Sequence, residues 1–173
     1  MRKAFLSCLL MLAVSGCLAE QQEISEQSPV DFALSAFKCR KMSEQEIADG
    51  WGPPRQLYGV GETYSKGVVL VRSVVLLDSK ATPMANLHIA VTDTAGTARA
   101  LAKGIAAGAN KIGDTPDTKE KVGDVSYSNA VCKLFSRKNV FVFVITQTEQ
   151  ASSLEIAKQV CSKLEKGGST ANN

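Results

Sequence analysis

Val140–Ile145 reads VFVFVI, six residues with no polar side chain. β-Branched and aromatic residues alternate along it, and that composition suits a pleated strand. A strand that is apolar on both faces belongs at the centre of a sheet covered on both sides. Working outward, Ser136-Arg137-Lys138-Asn139 forms a turn, and Val125–Phe135 is predicted as the strand paired through it, opened by Gly123-Asp124. On the other side Ser152 or Ser153 caps a helix that runs to about Glu165. Its apolar stripe is Leu154, Ala157, Cys161 and Leu164, and Gly167-Gly168 ends it.

Further toward the N-terminus, Val68–Leu77 (VVLVRSVVLL) is a long β-branched run bounded by Gly67 and Asp78. It is predicted as a strand, and so is Leu87–Val91, with Leu87, Ile89 and Val91 on one face and His88 and Ala90 on the other. Thr92-Asp93-Thr94 is placed to cap a helix from Ala95 to about Ala107, buried through Ala98, Leu101, Ala102 and Ile105. Val30, Ala33, Leu34, Phe37 and Met42 recur at helical spacing, so Val30–Met42 is predicted as an amphipathic helix, with Ser28 as cap and Pro29 in its first turn. A short strand is expected around Gly59-Val60-Gly61. Strands with short connections and helices in clumps predict an α+β fold: a single domain, residues 30–166, with a mostly antiparallel β-sheet covered by about three helices. The strand-turn-strand-helix ending, with Gly-Asp before the hairpin, resembles small α-β-α sandwiches of the PsbP/Mog1 kind.

The N-terminus carries a different message. Arg2 and Lys3 precede an uncharged apolar run, Ala4–Ala13, and then Val14-Ser15-Gly16-Cys17. The run is too short to span a bilayer and has the layout of an export signal. Its end, an aliphatic residue, two small residues and cysteine, resembles the lipobox of bacterial lipoproteins. That resemblance implies a signal peptide over residues 1–16, cleavage before Cys17, a diacylglyceryl thioether on Cys17 and an N-acyl chain. Two or more acyl chains anchor a protein stably where one does not. It also implies a place in the cell envelope, and Leu18, in the position where Asp retains enterobacterial lipoproteins in the inner membrane, implies the outer membrane facing the periplasm. Residues 17–29, which are Gln/Glu/Ser-rich, read as a flexible tether, and 167–173 as a disordered tail.

The chain has 173 residues with 20 basic and 17 acidic side chains. Loss of residues 1–16 removes two basic residues and no acidic one, leaving 18 against 17. No basic patch interleaved with aromatics is present in the sequence, which argues against nucleic acid as a partner. Of five cysteines, Cys8 leaves with the signal and Cys17 is lipidated, so Cys39, Cys132 and Cys161 remain. In an oxidising compartment a Cys132–Cys161 disulfide is expected, because a helix packed back over the sheet could bring Cys161 to the strand that carries Cys132. Such a bridge is worth about 3–4 kcal/mol on the chain-entropy model. Three buried thiols are the alternative.

Chemistry-bearing residues are sparse. His88 is the sole histidine. A Cys39–His88 pair would be needed for a cysteine hydrolase, and no nucleophile signature surrounds Cys39. Cys39, Met42, Met84 and His88 form a donor set suited to a soft metal such as Cu(I), although Met and Cys are also common core fillers. Asp114, Asp117, Glu120 and Asp124 could face Ca²⁺, but their spacing is not that of an EF-hand and a solvated loop is the plain reading. Gly59-Val60-Gly61 lacks the third glycine of a dinucleotide fingerprint. Trp51-Gly52-Pro53-Pro54-Arg55 reads first as a turn with the tryptophan tucked into the core. Its second reading is an exposed platform that binds a partner through Trp51 and Arg55. The expectation is a non-enzymatic module, without cofactor, that binds an envelope protein or small ligand. A carrier of an apolar ligand or soft metal is the alternative, and a cysteine hydrolase a third.

Overall fold

The computed structural model describes residues 28–59, 64–108, 112–113 and 115–167. The expected signal peptide, Cys17, most of the expected tether, Val60-Gly61, Asp114 and the expected tail over 168–173 lie outside them. The order is α1 (Pro29–Leu34), β1 (Cys39–Lys41), α2 (Glu44–Glu46), a π-turn (Ile47–Trp51), a 3-10 turn (Arg55–Leu57), β2 (Val68–Leu77), β3 (Pro83–Thr92), α3 (Ala95–Gly108), β4 (Val125–Ser128), β5 (Cys132–Arg137), β6 (Val140–Thr146) and α4 (Ser153–Gly167). The six strands form one sheet, ordered β1-β2-β3-β6-β5-β4, and every pairing is antiparallel. This is the α+β fold expected. Among the described residues no helix is long and apolar enough to cross a membrane.

The sheet separates two cores. On one face α1 and α4 pack over Leu87, Ile89, Val142, Val144 and Phe135. On the other α3 packs over Ala90, Phe141, Phe143, Leu134 and Tyr127. β6 sits between β3 and β5 and sends alternate side chains into each core, as its sequence demands. Ser28 caps α1 and Pro29 occupies its first turn. Thr94 Oγ1 accepts the Thr97 amide at 3.1 Å, and Ser152 Oγ accepts the Glu155 amide at 3.3 Å, so each long helix starts on a hydroxyl cap.

Three expectations are corrected. The helix expected over Val30–Met42 stops at Leu34, and Cys39–Lys41 instead pairs with Leu76, Val75 and Val74. Ladder bonds to a ten-residue neighbour outweigh a helical spacing that only five residues support. The strand expected over Val125–Phe135 is two strands: Asn129 Oδ1 accepts the amides of Val131 and Cys132 and folds the chain back between them. The Cys132–Cys161 disulfide is absent and Cys39, Cys132 and Cys161 are all free. Cys132 belongs to the α3 core and Cys161 to the α4 core, so the sheet itself lies between them. Helix α4 does pack back over the sheet, but on the face opposite the Cys132 side chain.

Candidate functional site

Between β1 and β2 the chain makes an excursion that lies over the half of the sheet left open by α3. Glu46 holds its start in place. Its carboxylate accepts two bonds of 2.7 Å from the Arg40 guanidinium and one of 2.8 Å from the Ser43 amide, closing a capping box. The Arg40 guanidinium, then the Ser43 amide, hold the Glu46 carboxyl down at about 2. Gly50, at φ +90°, turns the chain where a side chain would be strained. Leu57 plugs the far end into the α3 core.

Two hollows flank this excursion. One, of about 740 Å³, lies between Ile47–Gly59 and the β6 side chains Phe143 and Ile145. The other, of about 540 Å³, lies at the notch where β1 ends beside Val71–Val74 of β2. Ile47, Pro53 and Tyr58 line both, so they bridge the strip of sheet between β2 and β6. That strip is β3, whose side chains on this face, beside Ala90 under α3, are Asn86 and His88. In register, Ser73–His88–Phe143 and Val75–Asn86–Ile145 form two cross-strand rows.

Both β3 residues are fully buried. Ser73 Oγ and His88 Nδ1 share a hydrogen bond of 3.0 Å, while Gln147 Nε2 donates to Asn86 Oδ1 at 2.7 Å. His88 Nε2 and Asn86 Nδ2 have no partner among the described residues. Burial pushes the imidazole down to about 4 from 6.5. The ring is therefore neutral in the fold at neutral pH.

This has a measurable consequence. The unfolded chain takes up a proton on His88 as pH falls through 6.5, whereas the folded chain resists until about 4. In that window the unfolded state binds more protons, so stability present above pH 6.5 is lost as pH falls toward 4, on the order of 2–3 kcal/mol. Urea denaturation at pH 7 and pH 4.5 is expected to show this loss, and His88→Gln to lack that part of it. Equal pH dependence in both proteins would refute the assignment to His88.

The structure distributes the other candidates apart. Trp51 is 38% exposed, so it is not tucked into the core, and Arg55 is exposed and lines the larger hollow. Cys39 and Met84 pack against the α4 core, whereas His88 stands on the opposite face. Sheet spacings place the Cys39 and His88 Cα atoms about 14 Å apart. The hydrolase pair and the four-residue metal set therefore do not assemble. Two of the loop acids are already engaged: Asp117 with Lys133 at 2.8 Å and Asp124 with Arg137 at 2.9 Å. Burial raises the Cys39 thiol pKa, and raises that of Cys132 to about 11. Asn86, Ser73 and Tyr58 are functional candidates that sequence reading missed. The available signal was Asn86 and His88, two residues apart, on one face of an otherwise apolar strand.

No family model and no curated protein matches the chain. Among solved structures, the extracellular domain of PknH from Mycobacterium tuberculosis is similar, with a TM-score of 0.39 and 16% sequence identity. The match covers 58% of this chain and 66% of that one, just under two thirds of its length. It is a partial backbone likeness and brings no function with it.

Proposed function

We propose that this chain is a bacterial envelope lipoprotein, anchored through acyl chains on Cys17, whose domain is a non-enzymatic module for binding a partner protein or small ligand. The observation that carries the binding reading is the pair of hollows under Ile47–Gly59, with Ile47, Trp51 and Tyr58 exposed on the same excursion. Apolar concavities with a few polar groups are where small molecules bind, and exposed aromatic clusters are where proteins do. The separation of Cys39 from His88 supports a module without catalysis. The lipobox-like Val14–Cys17 supports the anchor, with Leu18 favouring the outer membrane of a diderm host.

Native mass spectrometry of the full chain extracted from its own envelope tests both halves. The expected species begins at Cys17, carries a diacylglyceryl group and an N-acyl chain, and retains an added ligand or partner mass. Cys17→Ala is expected to abolish the acyl mass. An unacylated chain overturns the anchor. Turnover of an envelope substrate by the purified chain overturns the non-enzymatic reading.

A further inference from the structure

We infer that the notch hollow beside β1 and β2 is a binding site for an anionic amphiphile: a single apolar chain ending in a carboxylate or phosphate. This rests on the domain being a ligand-binding module and names the ligand class of that site.

Charge is the first argument. The two hollows are lined by Arg40, Lys41, Arg72 and Arg55, and among the described residues their linings include no Asp or Glu. The whole chain is nearly balanced, with 20 basic and 17 acidic residues, so composition does not account for this concentration. Glu46 neutralises Arg40. Lys41, Arg72 and Arg55 have no ion pair among the described residues, and all three are exposed. Two of them, Lys41 and Arg72, face the notch hollow.

Apart from Cys39 and Ser73, whose hydroxyl is held by His88, the rest of that lining is mainly apolar. Met42, Ile47, Pro53, Val71, Val74 and Tyr58 surround about 540 Å³, a volume within the usual range for small-molecule sites. Apolar walls bind an alkyl chain by removing it from water, at about 25 cal/mol per Å². Unpaired cations at the open side then select the sign of its head group. An added peptide strand fits less well. The free outer edge of β2, Val68–Ser73, is interrupted by the register shift at Val68/Leu70, and a bulge there breaks the regular ladder that an added strand needs.

The test uses the full chain reconstituted in phosphatidylcholine vesicles, with radiolabelled decanoate, decyl phosphate, decanol and decyltrimethylammonium as probes. Retention on protein-free vesicles is subtracted. Saturable binding near one per chain is expected for decanoate or decyl phosphate. Preference for the carboxylate points to a free fatty acid and preference for the phosphate to a phospholipid head. Lys41→Glu combined with Arg72→Glu is expected to weaken binding about tenfold. Lys103→Glu on α3, exposed and outside the hollow, is expected to leave it unchanged. Decanol or the ammonium probe binding as tightly, an unaffected double variant, or no saturable binding each overturns the proposal. If the envelope-extracted chain then still carries a protein or another small molecule, the binding-module reading stands without this ligand. If it carries neither, both fall.

Discussion

Asp117→Ala is expected to destabilise the domain by about 3–5 kcal/mol, the cost of leaving a buried charge without its partner. The Lys133 side chain is 1% exposed. Its ammonium donates to Asp117 Oδ2 at 2.8 Å and to the Glu120 carbonyl at 2.6 Å. The carboxylate also accepts from Ser128 Oγ at 2.7 Å, while the Asp117 amide donates to the Ser126 carbonyl at 2.8 Å. The pair thus ties the loop before β4 to β5. Removing the carboxylate leaves the ammonium desolvated with one neutral acceptor. Asp117→Ala combined with Lys133→Met is expected to recover most of the loss, because an apolar chain of similar length needs no partner there. Chemical denaturation of the three proteins measures both effects. A single-variant loss below about 1 kcal/mol would place the pair with exposed ion pairs.

The same pair adds an acid-side pH dependence. Burial raises the Asp117 pKa, but hydrogen bonds from Lys133, Ser128 and Ser126, with the Lys133 charge, outweigh it and leave the carboxyl below its ordinary value. The depressed folded value means the contribution is present above the ordinary carboxylate range and is lost as pH falls below it. This lies on the acid side of the His88 window, so the two losses are separable along one titration.

Gly123→Ala is expected to cost about 3 kcal/mol or more, from two sources. Gly123 sits at φ +67°, a conformation that L side chains rarely adopt. A Cβ there would collide with the Ser136 carbonyl oxygen and come within 2.9 Å of Phe135 Cδ2. The collision partner is backbone: the same carbonyl accepts the Asp124 amide at 2.7 Å, and Asp124 in turn binds Arg137. The strand cannot retreat without opening these bonds. Thermal unfolding of the variant is expected to begin at a temperature many degrees lower. An unchanged midpoint would mean that β4 and β5 separate there at little cost. Gly50→Ala is a contrast, since it has positive φ but open space around it, and is expected to cost only the conformational part.

Local sequence determined most of the architecture. VFVFVI declared itself the central strand because no side chain in it tolerates water on either face. VVLVRSVVLL had to be a strand because its β-branched run is long enough to leave no helical alternative. The stripes of α3 and α4 followed from 3.6-residue spacing, and their hydroxyl caps from residue type. The proposed export signal and lipid anchor rest on the sequence of residues 1–17 alone, which lie outside the described residues. What reading the chain could not decide was which elements meet and on which face. Cys39–Lys41 falls within a stretch of helical spacing, yet the open edge of β2 claims it. Cys132 and Cys161 lie on elements that do pack together, but strand parity points one thiol away from the other. The candidate site shows the same division. His88 was legible as a polar residue in an apolar strand and Asn86, just outside the predicted Leu87–Val91, was missed; the burial of both depends on an excursion more than 25 residues upstream. Periodicity reports the environment of each residue relative to its own element, whereas the hollows, the cation-lined notch and the Lys133–Asp117 pair are made by contacts between segments distant in sequence, and only the packed chain supplies those.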